Sequence, residues 1–183
     1  MVNRQINRKF AICKSQTMKP QDILIALKIV SLSDQRWAQF ELAKSLAISP
    51  TEVSFAMKRL TKTGLLSKDK TQINKLALKE FLIHGLKYVY PVNIGIKGRG
   101  LVTAHSASPV KEHIAQNEDV FVWSYSYGTT RGYAIEPLYK TIPQIVSEHP
   151  KLYELLAITD TLRIGRPREV EIAISELDKR LAV

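Results

Sequence analysis

Residues 38–63 read AQFELAKSLAISPTEVSFAMKRLTKT, and this stretch decides the fold. Phe40, Leu42, Ala43 and Leu46 recur at three- and four-residue spacing and predict a short helix. Ser49-Pro50-Thr51-Glu52 then carries the marks of a second helix start. The Ser49 hydroxyl suits the cap, Pro50 suits the first turn, and Glu52 three residues on completes a capping box. Val53, Met57 and Leu60 continue an inward stripe to about Lys62. Gly64 stands where a helix commonly ends in a left-handed residue. Two short helices joined by a tight turn make a helix-turn-helix whose second helix begins at Ser49.

Setting aside the inward positions leaves Ser49, Thr51, Ser54, Phe55, Lys58, Arg59 and Lys62 on the outer face of that second helix. Hydroxyls at a helix N-terminus suit phosphates and base edges at a groove entrance. Lys58, Arg59 and Lys62 suit phosphates or, for arginine, a guanine edge. The expectation is double-stranded DNA with this helix in the major groove; the alternative is a merely solvated cationic face. Phe55 has two readings, packing against a neighbouring helix or dimer partner, which is the favoured one, or contact with a thymine methyl.

Outward from this centre, residues 1–17 carry Arg4, Arg8, Lys9 and Lys14 and no acid, and read as a basic arm. Met18, just before the next helix, offers a second possible start. From Pro20, Ile23, Leu24, Leu27 and Val30 predict a helix, with Asp22 in its first turn where the helix dipole favours an acid. Residues 31–36 break the pattern. After Gly64, Leu65-Leu66-Ser67 and Thr71-Gln72-Ile73 flank Lys68-Asp69-Lys70 as two very short strands of a wing, its lysines facing DNA. Asn74 caps a fourth helix from Lys75 to about Tyr88. Its apolar residues are too many for one narrow stripe, which predicts burial on two sides, one against a dimer partner.

Charge supports the assignment. Residues 1–90 hold 16 Lys and Arg against 6 Asp and Glu, whereas residues 91–183 hold 11 of each, so the whole net charge of +10 belongs to the first half. A one-sided basic excess suggests a polyanionic partner. No apolar run reaches the roughly 18 residues that a membrane span requires. The single cysteine, Cys13, builds neither a disulfide framework nor a thiolate metal site, so a reducing cytoplasm is expected.

Residues 91–140 lose helical periodicity. Phe121-Val122-Trp123-Ser124-Tyr125 has strand propensity. Gly95-Ile96-Lys97-Gly98-Arg99-Gly100 lacks the spacing and terminal Lys-Ser/Thr of a phosphate loop and reads as a flexible loop with two cations. Helices return over Ile142 to His149, Pro150 to Ile164 and Pro167 to Leu181. Arg163, Arg166 and Arg168 form a basic corner best explained by pairing with Asp160, Glu169 or Glu171. His84, His105, His113 and His149 show no metal-ligand spacing, Ser106 and Ser108 no nucleophile motif, and Glu118-Asp119 reads as a solvated turn. No catalytic residue, metal or cofactor is expected, and the chain is not expected to be an enzyme.

The stretch from Phe40 to Leu66 resembles the winged-helix regulators of the MarR type, through Leu42-Ala43, Leu46, Ile48-Ser49, Val53-Ser54, Arg59-Leu60 and Gly64-Leu65. That resemblance implies a winged helix-turn-helix, DNA binding and a homodimer. Phe55 departs from it, standing where such proteins often carry arginine. The wing is also short, which shifts minor-groove reach to the basic arm. Residues 151–169, KLYELLAITDTLRIGRPRE, are similar to bacterial winged-helix proteins that accompany nucleotidyltransferase-like toxins.

The expected fold is mainly α with a small β component. Residues 1–17 are the arm and 18–90 the winged helix-turn-helix. Residues 91–183 form an α+β half ending in helices that serves a partner, dimerisation or regulation. The expected function is a homodimeric, sequence-specific transcriptional repressor. Two alternatives stay open: an antitoxin whose C-terminal half neutralises a protein toxin, and a sensor with a pocket lined by Trp123, Tyr125 and Tyr127.

Overall fold

The computed structural model describes residues 17–33, 35–114 and 119–182. They form a mainly α structure with one small sheet. Arg4, Arg8 and Lys9, together with Cys13 and Glu118, lie outside the described residues.

Helix α1 (Pro20–Ser31) starts at a proline, with Asp22 accepting the Lys19 backbone N–H at 2.9 Å. Ile23 through Leu27 are fully buried, so α1 is covered all round rather than along one stripe. It lies between α3 (Pro50–Lys62) of its own half and α7 (Pro150–Ile164) of the other. Helix α2 (Gln39–Leu46) buries Leu42, Ala43 and Leu46 but leaves Phe40 exposed, against its expected inward position. Ala47, left-handed at φ 51°, turns the chain from α2 into α3, and Ile48 donates its N–H back to the Ala43 carbonyl at 3.0 Å.

Helix α4 (Lys75–Glu80) is capped by Asn74, which accepts the Ala77 N–H at 3.1 Å. It runs through a π-helical turn (Phe81–Gly85) into α5 (Leu86–Val89). Leu78, Leu82 and Leu86 form the buried stripe, while Leu76, Tyr88 and Val89 face outward. Within the chain this helix is therefore buried on one side.

Strands β1 (Ile94–Val102), β2 (Phe121–Ser124) and β3 (Thr130–Ile135) close into a three-stranded barrel. The expected strand at Phe121 is present. The expected loop at 95–100 is instead the middle of β1. β2 pairs antiparallel with its C-terminal end, Gly100 opposite Ser124, and β3 with its N-terminal part, Gly98 opposite Gly132. So tight a barrel needs glycine where backbones touch. A Cβ on Gly100 would sit 2.0 Å from the Trp123 carbonyl oxygen, and one on Gly132 2.4 Å from that of Val120. Gly100, read in the sequence as part of a loop, is a closure point of the sheet.

Helix α6 (Ile142–Ile145) and a 3₁₀ turn lead into α7, and α8 (Pro167–Leu181) packs back on it. Ala173, Leu177 and Leu181 are the fully buried stripe of α8. Residues Leu155 through Leu162 of α7 are all buried, so this helix is the axis of the molecule. Asp160 is the charged group in that axis. It accepts from the Trp123 indole at 2.7 Å, the Thr103 hydroxyl at 3.0 Å and Arg163 Nη1 at 2.8 Å. Burial pushes its carboxyl up, against the pull of Arg163 and these hydrogen bonds. Arg163 thus pairs with Asp160, as the basic corner implied, and its Nε also donates to the Tyr90 carbonyl at 3.1 Å. One continuous hydrophobic core includes Ile23, Leu60, Trp123 and Leu156. The change in chain character near residue 90 is a change of secondary structure within one shared core.

Candidate nucleic-acid interface

The start of α3 is built as its residue types require. The Ser49 hydroxyl accepts the Glu52 N–H at 3.2 Å, and Pro50 occupies the first turn. The Glu52 carboxylate does not return to the Ser49 backbone; it accepts from the Ser49 hydroxyl at 3.2 Å. Gln39 fixes the turn from outside, donating to the Pro50 carbonyl at 3.0 Å. Val53, Ala56, Met57 and Leu60 face the core, and Gly64 follows the helix at φ 77°. Ser49, Thr51, Phe55, Lys58 and Lys62 lie exposed, with Ser54 half-buried beside them.

Arg59 is not among them. Its side chain is only 6% exposed, with Nε 2.7 Å from Asp22 Oδ2 and Nη2 2.6 Å from Oδ1. This two-point bond ties α3 to the first turn of α1, and it holds the guanidinium charged above its ordinary range. The expectation that Arg59 reaches DNA is corrected for a physical reason. The position lies on the flank of α3 that faces α1, where a buried carboxylate demands a cation. In sequence, Asp22 reads as a partner of the helix dipole, and the pairing across 37 residues carries no local signal.

Phe55 does not pack against a neighbouring helix of the chain. It is 52% exposed, and Lys58 Nζ stands 5.5 Å from its ring centroid, a cation–π contact that orients the lysine over the helix face.

The expected wing is reduced to one bridge, Leu66 opposite Ile73, with the Ser67 N–H donating to Gln72 O at 2.9 Å. Its tip is organised by Asp69, which accepts from the Ser67 hydroxyl and from the Thr71 hydroxyl at 2.8 Å. Those bonds, Ser67 foremost, hold the Asp69 carboxyl below its ordinary range. Because Asp69 is engaged within the turn, Lys68 and Lys70 are left exposed with no ion pair among the described residues.

Between this tip, the end of α1 and the start of α4 lies an open groove of about 1140 Å³. Arg36, Trp37, Lys70 and Lys75 line it, and no acid does among the described residues. Arg36, Trp37 and Lys75 were not expected at the site. They come from two segments, the loop before α2 and the start of α4, and only the fold brings them to the wing.

The C-terminal half holds the helix pair in place. The Thr141 hydroxyl donates to the Leu46 carbonyl at 2.9 Å, and His149 Nε2 lies 3.2 Å from the Ser45 carbonyl. Both contacts seat the last turn of α2, so the angle at which α3 is presented depends on residues 95 and more positions away. The three aromatics expected to line a ligand pocket do not come together: Tyr125 and Tyr127 meet edge to face at 5.6 Å, apart from Trp123. Trp123 is buried against Asp160, and Tyr127 is 83% exposed. Among the described residues no group of three side chains is placed to hold a metal ion, and no helix is long and apolar enough to cross a membrane.

Comparison with known proteins matches the chain to no family model, no characterised protein and no solved structure.

Proposed function

We propose that the protein is a sequence-specific double-stranded DNA-binding regulator, a cytoplasmic repressor acting as a homodimer, with α3 in the major groove. The observation that carries this reading is the outer face of α3. Ser49, Thr51 and Ser54 lie at its capped start, Lys58 and Lys62 lie beyond, and the helix is seated on α2 across a tight turn. Hydroxyls at the helix start favour phosphate, and the lysines add counterion release as a driving force. Phe55 between them offers an apolar surface to a thymine methyl. Lys68, Lys70, Arg36 and Lys75 add exposed cations at the wing and its groove. The outward Leu76, Tyr88 and Val89 of α4 and α5 give a second copy an apolar face to cover.

The test is selection of duplexes from a random library by the full chain, followed by affinity at several salt concentrations. A pseudo-palindromic duplex should be enriched. Thr51→Ala with Lys58→Ala should weaken binding to it while leaving the unfolding midpoint in place. Enrichment of no duplex, or undiminished affinity of the folded double variant, would sink the proposal.

A further inference from the structure

A second basic surface lies on the barrel, far along the chain from α3 and within the half whose charges cancel. β1 and β3 pair with Lys97 opposite Tyr133 and Arg99 opposite Arg131. Residues two apart on a strand share a face, and cross-strand partners share it too. These four side chains therefore make one patch of three cations and a phenol ring. Lys97 Nζ stands 4.6 Å from the Tyr133 ring centroid.

Arg99 and Arg131 are both exposed, and among the described residues neither guanidinium has a hydrogen bond or an ion pair. Like charges placed directly opposite on an antiparallel pair repel and disfavour the strand pairing. The acids of this half that form ion pairs with lysine or arginine do so elsewhere. Asp160 is bound to Arg163, Glu154 and Glu176 to Arg180, and Asp178 to Lys79. The fold thus leaves two forked cations facing one gap with no anion of its own.

Tyrosines border the gap. The Tyr125 N–H donates to the Arg99 carbonyl at 3.2 Å, and Tyr127, the most exposed tyrosine of the chain, meets Tyr125 edge to face at 5.6 Å. Two unpaired arginines on facing strands, a lysine one strand step away and an outward ring are the parts of a single-strand binder. The cations follow the backbone phosphates and the ring takes a base face.

We infer that the β1–β3 face with the 125–128 turn is a binding site for single-stranded nucleic acid, separate from the α3 surface. A phosphate sits between Arg99 and Arg131, Lys97 neutralises the next, and Tyr127 stacks on a base. The site stands or falls independently of duplex recognition, because no residue is common to both surfaces.

The experiment titrates the full chain against labelled oligo-uridine RNA and oligo-thymidine DNA of about 12 nucleotides, following anisotropy. Arg99→Gln with Arg131→Gln should weaken single-strand binding at least about tenfold, and Tyr127→Ala about fivefold or more. Lys58→Ala should leave it unchanged. Arg99→Glu turns the repelling pair into an attracting one, so it should raise the unfolding midpoint while abolishing oligonucleotide binding. Equal single-strand affinity of wild type and the folded double arginine variant would overturn the inference. So would displacement of the oligonucleotide by poly-glutamate at equal charge concentration, which would make the face a contact for an acidic protein.

Discussion

Two arginine sites, one in each half of the molecule, are used in opposite ways. In the first half, which carries the entire net charge, Arg59 is turned inward and bound at two points by Asp22. In the second half, where charges balance, Arg99 and Arg131 stand exposed opposite one another without a carboxylate. Net charge along a sequence therefore does not show which cations are available to a partner. What decides it is where the acids fall once the chain has folded. Asp22 lies in the first turn of α1, facing α3, while the ion-paired acids of the second half lie on α7 and α8.

The largest effect should come from breaking the buried pair. Arg59→Met leaves Asp22 fully buried without its partner, and losing one member of such a pair costs about 3–5 kcal/mol. Lys58→Met, one residue away and exposed, should shift stability by less than about 0.5 kcal/mol. Urea unfolding of the two variants measures the contrast. Similar midpoints would mean that Arg59 is not the internal tie the geometry describes. The same logic makes Arg59 a poor residue with which to probe DNA binding, because its loss would weaken binding through the fold.

That contrast also marks how far the sequence was legible. The α3 cap, the inward stripe of Val53, Met57 and Leu60, the Asn74 cap and both C-terminal helix starts are local features. Each is written within about one helical turn. Arg59 looks like a DNA contact because its neighbours along the chain resemble those of Lys58, and only a partner 37 positions away separates the two. β1 was hidden for a related reason. Its Gly100 permits backbone approach to Trp123, as Gly132 of β3 does to Val120; these contacts are made across the sheet, and in the sequence such glycines look the same as loop glycines. The groove residues Arg36, Trp37 and Lys75 were invisible because no spacing rule links a loop, a wing and a helix start.

A smaller effect, on binding alone, should follow from neutralising exposed cations of the first half. Lys58→Ala with Lys70→Ala should reduce the slope of log affinity for the selected duplex against log salt by about 2, one for each phosphate that no longer meets a lysine. The unfolding midpoint should not move. An unchanged slope would remove α3 and the wing tip from the contact surface. An equal loss of oligo-uridine binding would erase the distinction between the two basic faces.

The smallest effect concerns a buried group of the second half whose pairing is incomplete. His105 is 6% exposed and meets Phe121 edge to face, and its Nδ1 lies 3.5 Å from Glu169 Oε2 without a hydrogen bond. Burial lowers its affinity for a proton, against the attraction of Glu169, so its pKa falls below the ordinary 6.5. The folded chain therefore releases this proton more readily than the unfolded chain does. Its contribution to stability is fully present above pH 6.5 and is lost as pH falls through that value and the lowered one. Arg59, charged throughout this range, contributes no such slope. Stability measured from pH 8 to 5 should decline in the wild type by no more than about one proton's worth of slope, roughly 1.4 kcal/mol per pH unit. His105→Gln should flatten that decline whatever its effect on stability at pH 8. Parallel curves for the two proteins would mean that the His105 contact is as complete as the Asp22–Arg59 pair.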